Sequence, residues 1–502
     1  MIQRFSQPVE PLVEKNLFRQ RAMTARSLPD FEELRPCLPI PVLPHNPDWE
    51  TVYWKAWELL WHNHSQLLSQ ESQYLLETDV SYIDRTVSMG QSAFLTIPSG
   101  YIPGPFKFVE LLDRFYAAQE DSGFICRDVI SQAGELCPQP FDPNSTGPNL
   151  LAWSEWRAFR LTGDKQRVAA VFPALMAYHR WCRNNRTWRN GLYWTTAYAG
   201  GLVNQPRVPG GRYHHRHWAW IDACAQAVLN CTMLERMALL LEEPEMATEV
   251  ATERDQLSRI INETMWNNEL GFYQDIGPDG TFSSLRSIAA YWTLLEATLI
   301  PKDRLSPFIQ HLRDTWSFRT EFVLPTLSAD SEAYNARTGN GWRGAVWSHL
   351  TYMVQRGLNV ADHFSLAHKL ALNHVDMVSR VHASTGKFWE NYLPEDLGPA
   401  EPMTEDVIGL TPAAIIPMVL EFVLGFSVDW PLRQIVWRRC LPQGQAYGVR
   451  NLPLGNEGTI DLLGDEDTIQ VRSDAPVTLI IHDDKEISQM AVPAGEFALS
   501  LK

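Results

Sequence analysis

Helical segments separated by long loops are the feature that most limits what this chain can fold into. Apolar residues recur with helical periodicity through most of the chain, over ranges that alternate with irregular stretches. These ranges are 107–119, 149–162, 166–184, 216–242, 244–266, 284–298, 302–314, 345–357, 361–381 and 409–425. The loops between them, such as 187–215 and 326–344, are rich in Gly, Pro, Asn and aromatic residues. This alternation is typical of a helical toroid whose loops meet at one central pocket.

The two ends of the chain depart from this pattern. Residues 1–47 become proline-rich toward their end and are predicted to form an extended arm on the main body. Helical periodicity starts at Asp48, and after about Arg439 β-branched residues cluster between turn signals. We therefore predict an arm over 1–47, a helical toroid over 48–438 and a small β-rich unit over 439–502.

Composition excludes several classes of function. The formal net charge of −16 argues against nucleic-acid binding, and no apolar run is long enough to span a membrane. The seven cysteines are scattered and show no ligand spacing, which favours a reducing compartment and no metal site. No phosphate loop, dinucleotide fingerprint, zinc signature or secretory segment is found, so we expect no cofactor and a cytoplasmic protein.

The segment 388–395 carries the clearest chemical signal. It reads Phe-Trp-Glu-Asn-Tyr-Leu-Pro-Glu and places Glu390 between Trp389 and Tyr392, just before a turn and a final apolar helix. Hydrolysis of a glycosidic bond usually needs two carboxyl groups, one to protonate the leaving oxygen and one to activate water or attack. Glu390 is a candidate for one of these groups.

Five segments, taken in order, resemble the mannosylglycerate-hydrolase-like proteins related to glycoside hydrolase family 63. They are 121–127, 145–153, 201–207, 340–347 and 388–395, and the resemblance runs from about residue 75 to residue 425. It implies an all-α (α/α)6 barrel and an inverting mechanism on small α-glycosides such as glucosyl or mannosyl glycerate.

The resemblance also implies roles for individual residues. Glu390 falls on the general base of the family, and Trp342 and Arg343 fall on its substrate-binding Trp-Arg-Gly motif. The remaining candidate substrate contacts are Arg127, Asn204, Gln91, Val203, Trp389 and Tyr392.

Four segments depart from the family pattern. The general-acid aspartate is replaced by Val203, and a Trp-Asp pair is replaced by Gly90 and Gln91. A tyrosine is replaced by Gly341 and a tryptophan by Leu410. A positioned general acid contributes about 10²–10⁴ in rate, and valine transfers no proton. We therefore expect a wider, less polar pocket that holds a pyranose ring poorly.

Other carboxylates are candidates to replace the missing acid. Asp84 and Asp406 are candidate catalytic residues because each lies close in sequence to a pocket segment. Asp222 lies four residues after Trp218 on a predicted helix, and all three are also typical of structural or capping acids.

Three functions remain open for a small-molecule substrate. The favoured one is a repurposed enzyme that uses acid/base or cation chemistry in cyclisation, isomerisation or elimination, including terpenoid-type cyclisation. The alternatives are an altered inverting α-glycosidase and a protein that only binds a sugar or a partner. An enzyme is favoured over complete loss of the active site because four pocket residues are retained, namely Glu390, Arg343, Asn204 and Arg127.

Overall fold

The computed structural model describes residues 8–20, 28–69, 86–104, 107–130, 139–403, 409–441, 444–483 and 487–500. Among these residues, no helix combines the length and the apolar character needed to cross a membrane.

Helices dominate the described chain. They are α1 (Phe31–Leu34), α2 (Pro47–Ser69), α3 (Met89–Leu95), α4 (Asp113–Ala117), α5 (Leu151–Thr162), α6 (Lys165–Asn185), α7 (Ile221–Leu240), α8 (Pro244–Thr264), α9 (Lys302–Gln310), α10 (Ser348–Val360), α11 (Phe364–Thr385) and α12 (Leu410–Pro417). Shorter 3₁₀ segments are Pro11–Lys15, Leu17–Gln20, Arg35–Cys37, Ile97–Tyr101, Phe108–Leu112, Ile288–Leu295 and Trp430–Leu432, and α12 continues as the π-helical turn Met418–Val423.

From α2 onward, the helices alternate between an outer and an inner ring. In the described chain the inner ring consists of α3, α5, α7, Ile288–Leu295, α10 and α12, and the outer ring of α2, α4, α6, α8, α9 and α11. The inner elements Ile288–Leu295 and α12 are buried on every side, whereas α8 buries only a stripe of residues. Elements that are apolar all round need neighbours on all sides, which the outer ring supplies. The predicted (α/α)6 toroid is confirmed.

Local capping chemistry sets the turn between α5 and α6. Gly163 ends α5 in the left-handed conformation with φ of 72°, which glycine adopts without steric cost. The next residue, Asp164, caps α6 by accepting a hydrogen bond of 2.9 Å from the backbone N–H of Arg167. An inner helix is thereby linked to its outer partner by a tight connection.

The strands form two larger sheets and two short ribbons. They are β1 (Ile40–Val42), β2 (Thr86–Ser88), β3 (Asp128–Ile130), β4 (Trp266–Asn267), β5 (Phe272–Tyr273), β6 (Phe426–Asp429), β7 (Gln434–Arg438), β8 (Tyr447–Pro453), β9 (Thr459–Gly464), β10 (Thr468–Ser473), β11 (Val477–His482), β12 (Ile487–Val492) and β13 (Gly495–Ser500). The sheet orders are β1-β8-β9-β10-β13 and β12-β11-β7-β6, with β2-β3 and β4-β5 as ribbons. The predicted small C-terminal β unit is therefore present.

Both ends of the chain take part in this unit. Strand β1 of the N-terminal arm pairs antiparallel with β8, with Ile40 opposite Arg450 and Val42 opposite Gly448. Strands β6 and β7 precede residue 439, after which β-branched residues cluster in the sequence. The three domain boundaries given above stay a prediction.

A buried carboxylate joins the inner elements near their C-terminal ends. Glu421 accepts hydrogen bonds from Tyr101 and Arg157 at 2.8 Å, from Tyr352 at 2.9 Å and from Arg356 at 3.0 Å. Burial opposes its ionisation, but the two arginines hold the pKa of Glu421 below its ordinary value. Removal of Glu421 would leave two buried cations without their carboxylate.

One cysteine differs from the sequence interpretation. Cys126 is disulfide-bonded, whereas Cys182, Cys224 and Cys231 are buried thiols. The inference of a reducing compartment from the cysteine pattern did not anticipate this disulfide, because spacing along the sequence does not show which residues meet in space.

Candidate functional site

A cavity of about 590 Å³ opens at the N-terminal ends of the inner helices. The first residues of α3, α7, α10 and α12 reach it, together with the loops that precede them. Its lining includes Gln91, Phe94, Arg127, Asp128, Tyr198, Val203, Asn204, Asp222, Gln226, Trp292, Trp342, Trp347, His349, Glu390 and Leu410. Loops over one end of a helical ring therefore create a deep, largely apolar site.

Glu390 lies in this cavity, and no described residue forms an ion pair with it. Its side chain is buried, with the residue 3% exposed, and its Oε2 atom has no hydrogen-bond partner among the described residues. Burial alone raises the pKa of Glu390 to about 9. At neutral pH the group is a carboxylic acid, which holds a transferable proton.

The backbone around Glu390 is firmly held. Thr411 Oγ1 donates to the carbonyl oxygens of Trp389 at 2.8 Å and Glu390 at 3.3 Å, and Tyr392 pairs with Val346 as an antiparallel bridge. The backbone that carries Glu390 is thus fixed between the start of α12 and the segment that leads into α10.

Val203 shares the cavity with Glu390. Two further acids line the wall, and each is bonded to an arginine. Asp128 accepts from Arg127 Nε at 2.8 Å, and Asp222 accepts from Arg207 at 2.7 Å. Among the described lining residues, Glu390 is therefore the carboxyl group without an arginine partner.

Asp222 belongs to a buried ion triad behind the wall. Arg207 donates a hydrogen bond of 2.7 Å to Asp222 and forms an ion pair with Asp275 at 3.0 Å, and its side chain is 1% exposed. Asp275 also accepts from the backbone N–H of Ile221 at 2.8 Å, which fixes the start of α7. The contacts of Asp222 indicate a structural acid that orients the wall.

Asn204 and Gln205 hold the loop that carries Trp342. Asn204 donates to the Asn340 carbonyl at 2.8 Å and accepts from Trp342 N–H at 2.9 Å. Gln205 donates to the carbonyls of Thr326 and Trp342, both at 2.8 Å. Between these contacts Gly341 adopts a φ of 62°, which a tyrosine at this position would adopt only with strain.

Gln205→Leu is expected to lower the free energy of unfolding by about 2–3 kcal/mol. The change removes the donors to two carbonyls in a site where water has little access, and an unsatisfied buried acceptor costs about 1–3 kcal/mol. Urea unfolding at pH 7 measures the loss. Gln310→Leu, at an exposed position of α9, is the matched control. Equal stabilities of the two variants would contradict the proposed support of the loop.

Aromatic rings form much of the remaining wall. Trp342 stacks on Trp347 with centroids 3.8 Å apart, and His349 meets the Phe94 ring edge-on at 4.8 Å. Burial lowers the pKa of His349 to about 3, so its imidazole is neutral. The π faces are surfaces to which a cation is attracted.

The structure brings together six of the predicted site residues. Those that line the cavity are Glu390, Gln91, Arg127, Val203, Asn204 and Trp342. Asp84 and Asp406 lie outside the described residues.

Three predicted contacts are not part of the cavity lining. Arg343 directs its Nε toward the Asn204 carbonyl at 3.4 Å. The Trp389 indole donates to Thr385 at 3.2 Å, at the end of α11, and the Tyr392 hydroxyl accepts from the backbone N–H of Trp389 at 3.3 Å. The side chains of these three residues contact neighbouring protein segments, an arrangement that sequence order does not reveal.

Sequence reasoning missed several lining residues. They are His349, Asp128, Tyr198, Trp292 and Trp347. Asp128 follows the motif that ends at Arg127, and His349 comes two residues after the motif that ends at Trp347. Extending the motifs by two residues would have identified both.

The ring of paired helices, with a loop-borne carboxyl group in its central cavity, defines a glycoside-hydrolase-fold protein. Residues 44–400 match the family described as the mannosylglycerate hydrolase MGH1-like glycoside hydrolase domain. The chain belongs to this family, as its sequence motifs indicated.

Several proteins resemble this chain over most of its length. An uncharacterised protein of Borreliella burgdorferi is 26% identical over 389 residues, which cover 75% of this chain and 79% of that protein. The solved family 63 mannosylglycerate hydrolase of Thermus thermophilus, in complex with glucose, is 20% identical with a TM-score of 0.58, covering 73% of this chain and 99% of that one. A structure described as a sialidase is 13% identical with a TM-score of 0.71, covering 96% of this chain and 43% of that one. The two structural similarities concern the fold.

Proposed function

We propose that this chain is an enzyme that uses Glu390, in its protonated form, as a proton donor to a small substrate of apolar character. The observation that supports this most strongly is the environment of Glu390. It is buried, lacks an arginine partner among the described residues and shares a cavity with Val203 and several tryptophans. A site of this kind favours a neutral acid over the ionised base of an inverting glycosidase.

The chemistry needs no co-reactant. Transfer of the Glu390 proton to a carbon–carbon double bond leaves a carboxylate and a carbocation. Trp342, Trp347 and Trp292 present π systems that would attract this cation. Return of a proton from a neighbouring carbon to Glu390 completes an isomerisation or a cyclisation with atoms and charge balanced. In an elimination, the Glu390 proton would convert a hydroxyl group into departing water, and the resulting carbocation would return a proton from a neighbouring carbon to the Glu390 carboxylate as the double bond forms.

A second candidate is an altered inverting α-glycosidase acting on small glycosides. Membership of the family and the presence of Arg127, Asn204 and Trp342 around one cavity favour it. This function requires Glu390 to be ionised and an acid to act in place of Val203, and Asp84 and Asp406 are the predicted substitutes. A protein that only binds its ligand is the third candidate.

Ligand preference distinguishes these functions. We expect the terpenoid alcohols geraniol and farnesol to raise the Tm of the full chain in a saturable way, because apolar walls bind them. Mannosylglycerate and glucosylglycerate are expected to give no comparable shift in Tm. The protein is also expected to release no free sugar from either compound. Glu390→Gln is expected to keep the shift, since it preserves the shape and the neutral charge of the side chain.

Two outcomes would contradict the proposal. Release of sugar from either glycerate by the wild type, lost in Glu390→Gln, would identify a glycosidase. A shift with sugars and none with the terpenoid alcohols would show a polar site. Val203→Asp tests the missing acid directly, because a gain of glycerate hydrolysis in this variant alone would show that position 203 is what limits the reaction.

A further inference from the structure

A second cavity lies at the other end of the helical ring. It has a volume of about 80 Å³ and is reached by residues near the C-terminal ends of α5, α7 and α10. The large cavity described above is lined instead from the N-terminal ends of inner helices. The two cavities have no described lining residue in common, so the small one requires its own explanation.

Arginines dominate the charge of this second cavity. Arg157, Arg160, Arg236 and Arg356 line it, and Glu421 is the carboxylate among its described lining residues. Arg160 is also paired with Asp429 at 2.9 Å. Four guanidinium groups thus face two carboxylates, on a chain whose formal net charge is −16. Positive charge is in excess here although the protein as a whole is acidic.

Two of the arginines have donors that remain unused. The Nε atoms of Arg157 and Arg356 are buried and have no hydrogen-bond partner among the described residues. Glu421 already engages the terminal nitrogens of both side chains, at 2.8 and 3.0 Å. A buried charged donor left without an acceptor is costly, and native structures usually supply one. An acceptor in the cavity would satisfy these atoms.

We propose that this cavity binds a small oxyanion such as inorganic phosphate. The volume of about 80 Å³ exceeds what a single water molecule needs and admits a tetrahedral oxyanion. Guanidinium groups bind pairs of oxygens with matching geometry, which a spherical halide lacks. Arg236 is exposed at the edge of the site and supplies a route by which the anion enters.

Phosphate titration of the full chain tests the proposal. Phosphate is expected to raise the Tm in a saturable way, and sodium chloride at equal ionic strength is expected not to. Arg236→Gln is expected to weaken the apparent phosphate affinity by about tenfold or more, since it removes a charge-assisted partner while leaving the buried arginines in place. Arg259→Gln, at an exposed position of α8, is the control and should bind as the wild type does.

Binding in the large cavity is distinguished by a third variant. Arg212→Gln removes an exposed arginine from the lining of that cavity. Loss of the phosphate shift in Arg212→Gln, with the shift retained in Arg236→Gln, would overturn the proposal. An equal shift with chloride, or no shift with phosphate, would overturn it as well.

Discussion

Replacing Glu390 with glutamine is expected to make the folded protein progressively more stable than the wild type as the pH rises. The difference in the free energy of unfolding should grow by about 1.4 kcal/mol for each pH unit between pH 5 and pH 9. Over this range the effect amounts to several kcal/mol, which is large for one side chain. It reports directly on the buried proton that the proposed function requires.

The sign follows from the proton that each state holds. The unfolded chain releases the Glu390 proton near the ordinary pKa of glutamate, whereas the folded protein keeps it up to a pKa of about 9. Between these values the folded state binds more protons, so raising the pH destabilises it. The stability that protonated Glu390 contributes is fully present below the pKa that Glu390 has in the unfolded chain. It is lost as the pH rises toward 9. Glutamine has no such proton and removes this loss.

Urea unfolding of both proteins at pH 5, 6, 7 and 8 measures the difference. Glu263→Gln changes an exposed glutamate on α8 and controls for general effects of charge. If the free energies of unfolding of Glu390→Gln and the wild type change with pH in parallel, Glu390 ionises normally in the folded protein. The proton-donor function would then lose its support.

Arg207→Met is expected to cost about 3–5 kcal/mol of stability at pH 7. The substitution leaves Asp222 and Asp275 buried next to each other without their shared cation, and an uncompensated buried charge carries a penalty of this size. Burial already raises the pKa of Asp275, while Arg207 opposes that rise. Without Arg207 the carboxyl groups should take up protons, so part of the loss should be recovered at acidic pH.

The measurement is urea unfolding at pH 7 and pH 5, with Arg259→Met as the exposed control. A loss that is the same at both pH values would show that packing around the long side chain, and not its charge, holds this wall. If the Arg207→Met variant is as stable as the control, the ion triad does not stabilise the wall of the cavity.

The fold could be predicted from the sequence wherever local patterns determine structure. Apolar periodicity identified most helices of both rings, but α3 lies in none of the predicted helical ranges, and β-branched clusters identified β9, β10 and β11. The pairing of β1 with β8 could not be predicted, because it joins segments far apart in the sequence. Proline-rich stretches predict an irregular arm but do not reveal the strand to which it binds.

The site was predictable in its residues more than in its geometry. Motif order brought Glu390 and Val203 to one pocket, and both line the same cavity. The contacts of the Trp389 and Arg343 side chains depend on backbone turns that periodicity does not determine. The neutral imidazole of His349 depends on burial by rings from distant segments, which are Phe94, Trp342 and Trp347.

The pairing of β1 with β8 has a consequence for biosynthesis. The partner of Ile40 is Arg450, so the arm is translated long before the strand with which it pairs. Contacts between such distant segments form slowly, and an unpaired edge promotes association with other chains in the meantime. The helical ring lies between the two strands in the sequence and can assemble first, so that attachment of the arm is a late step of folding.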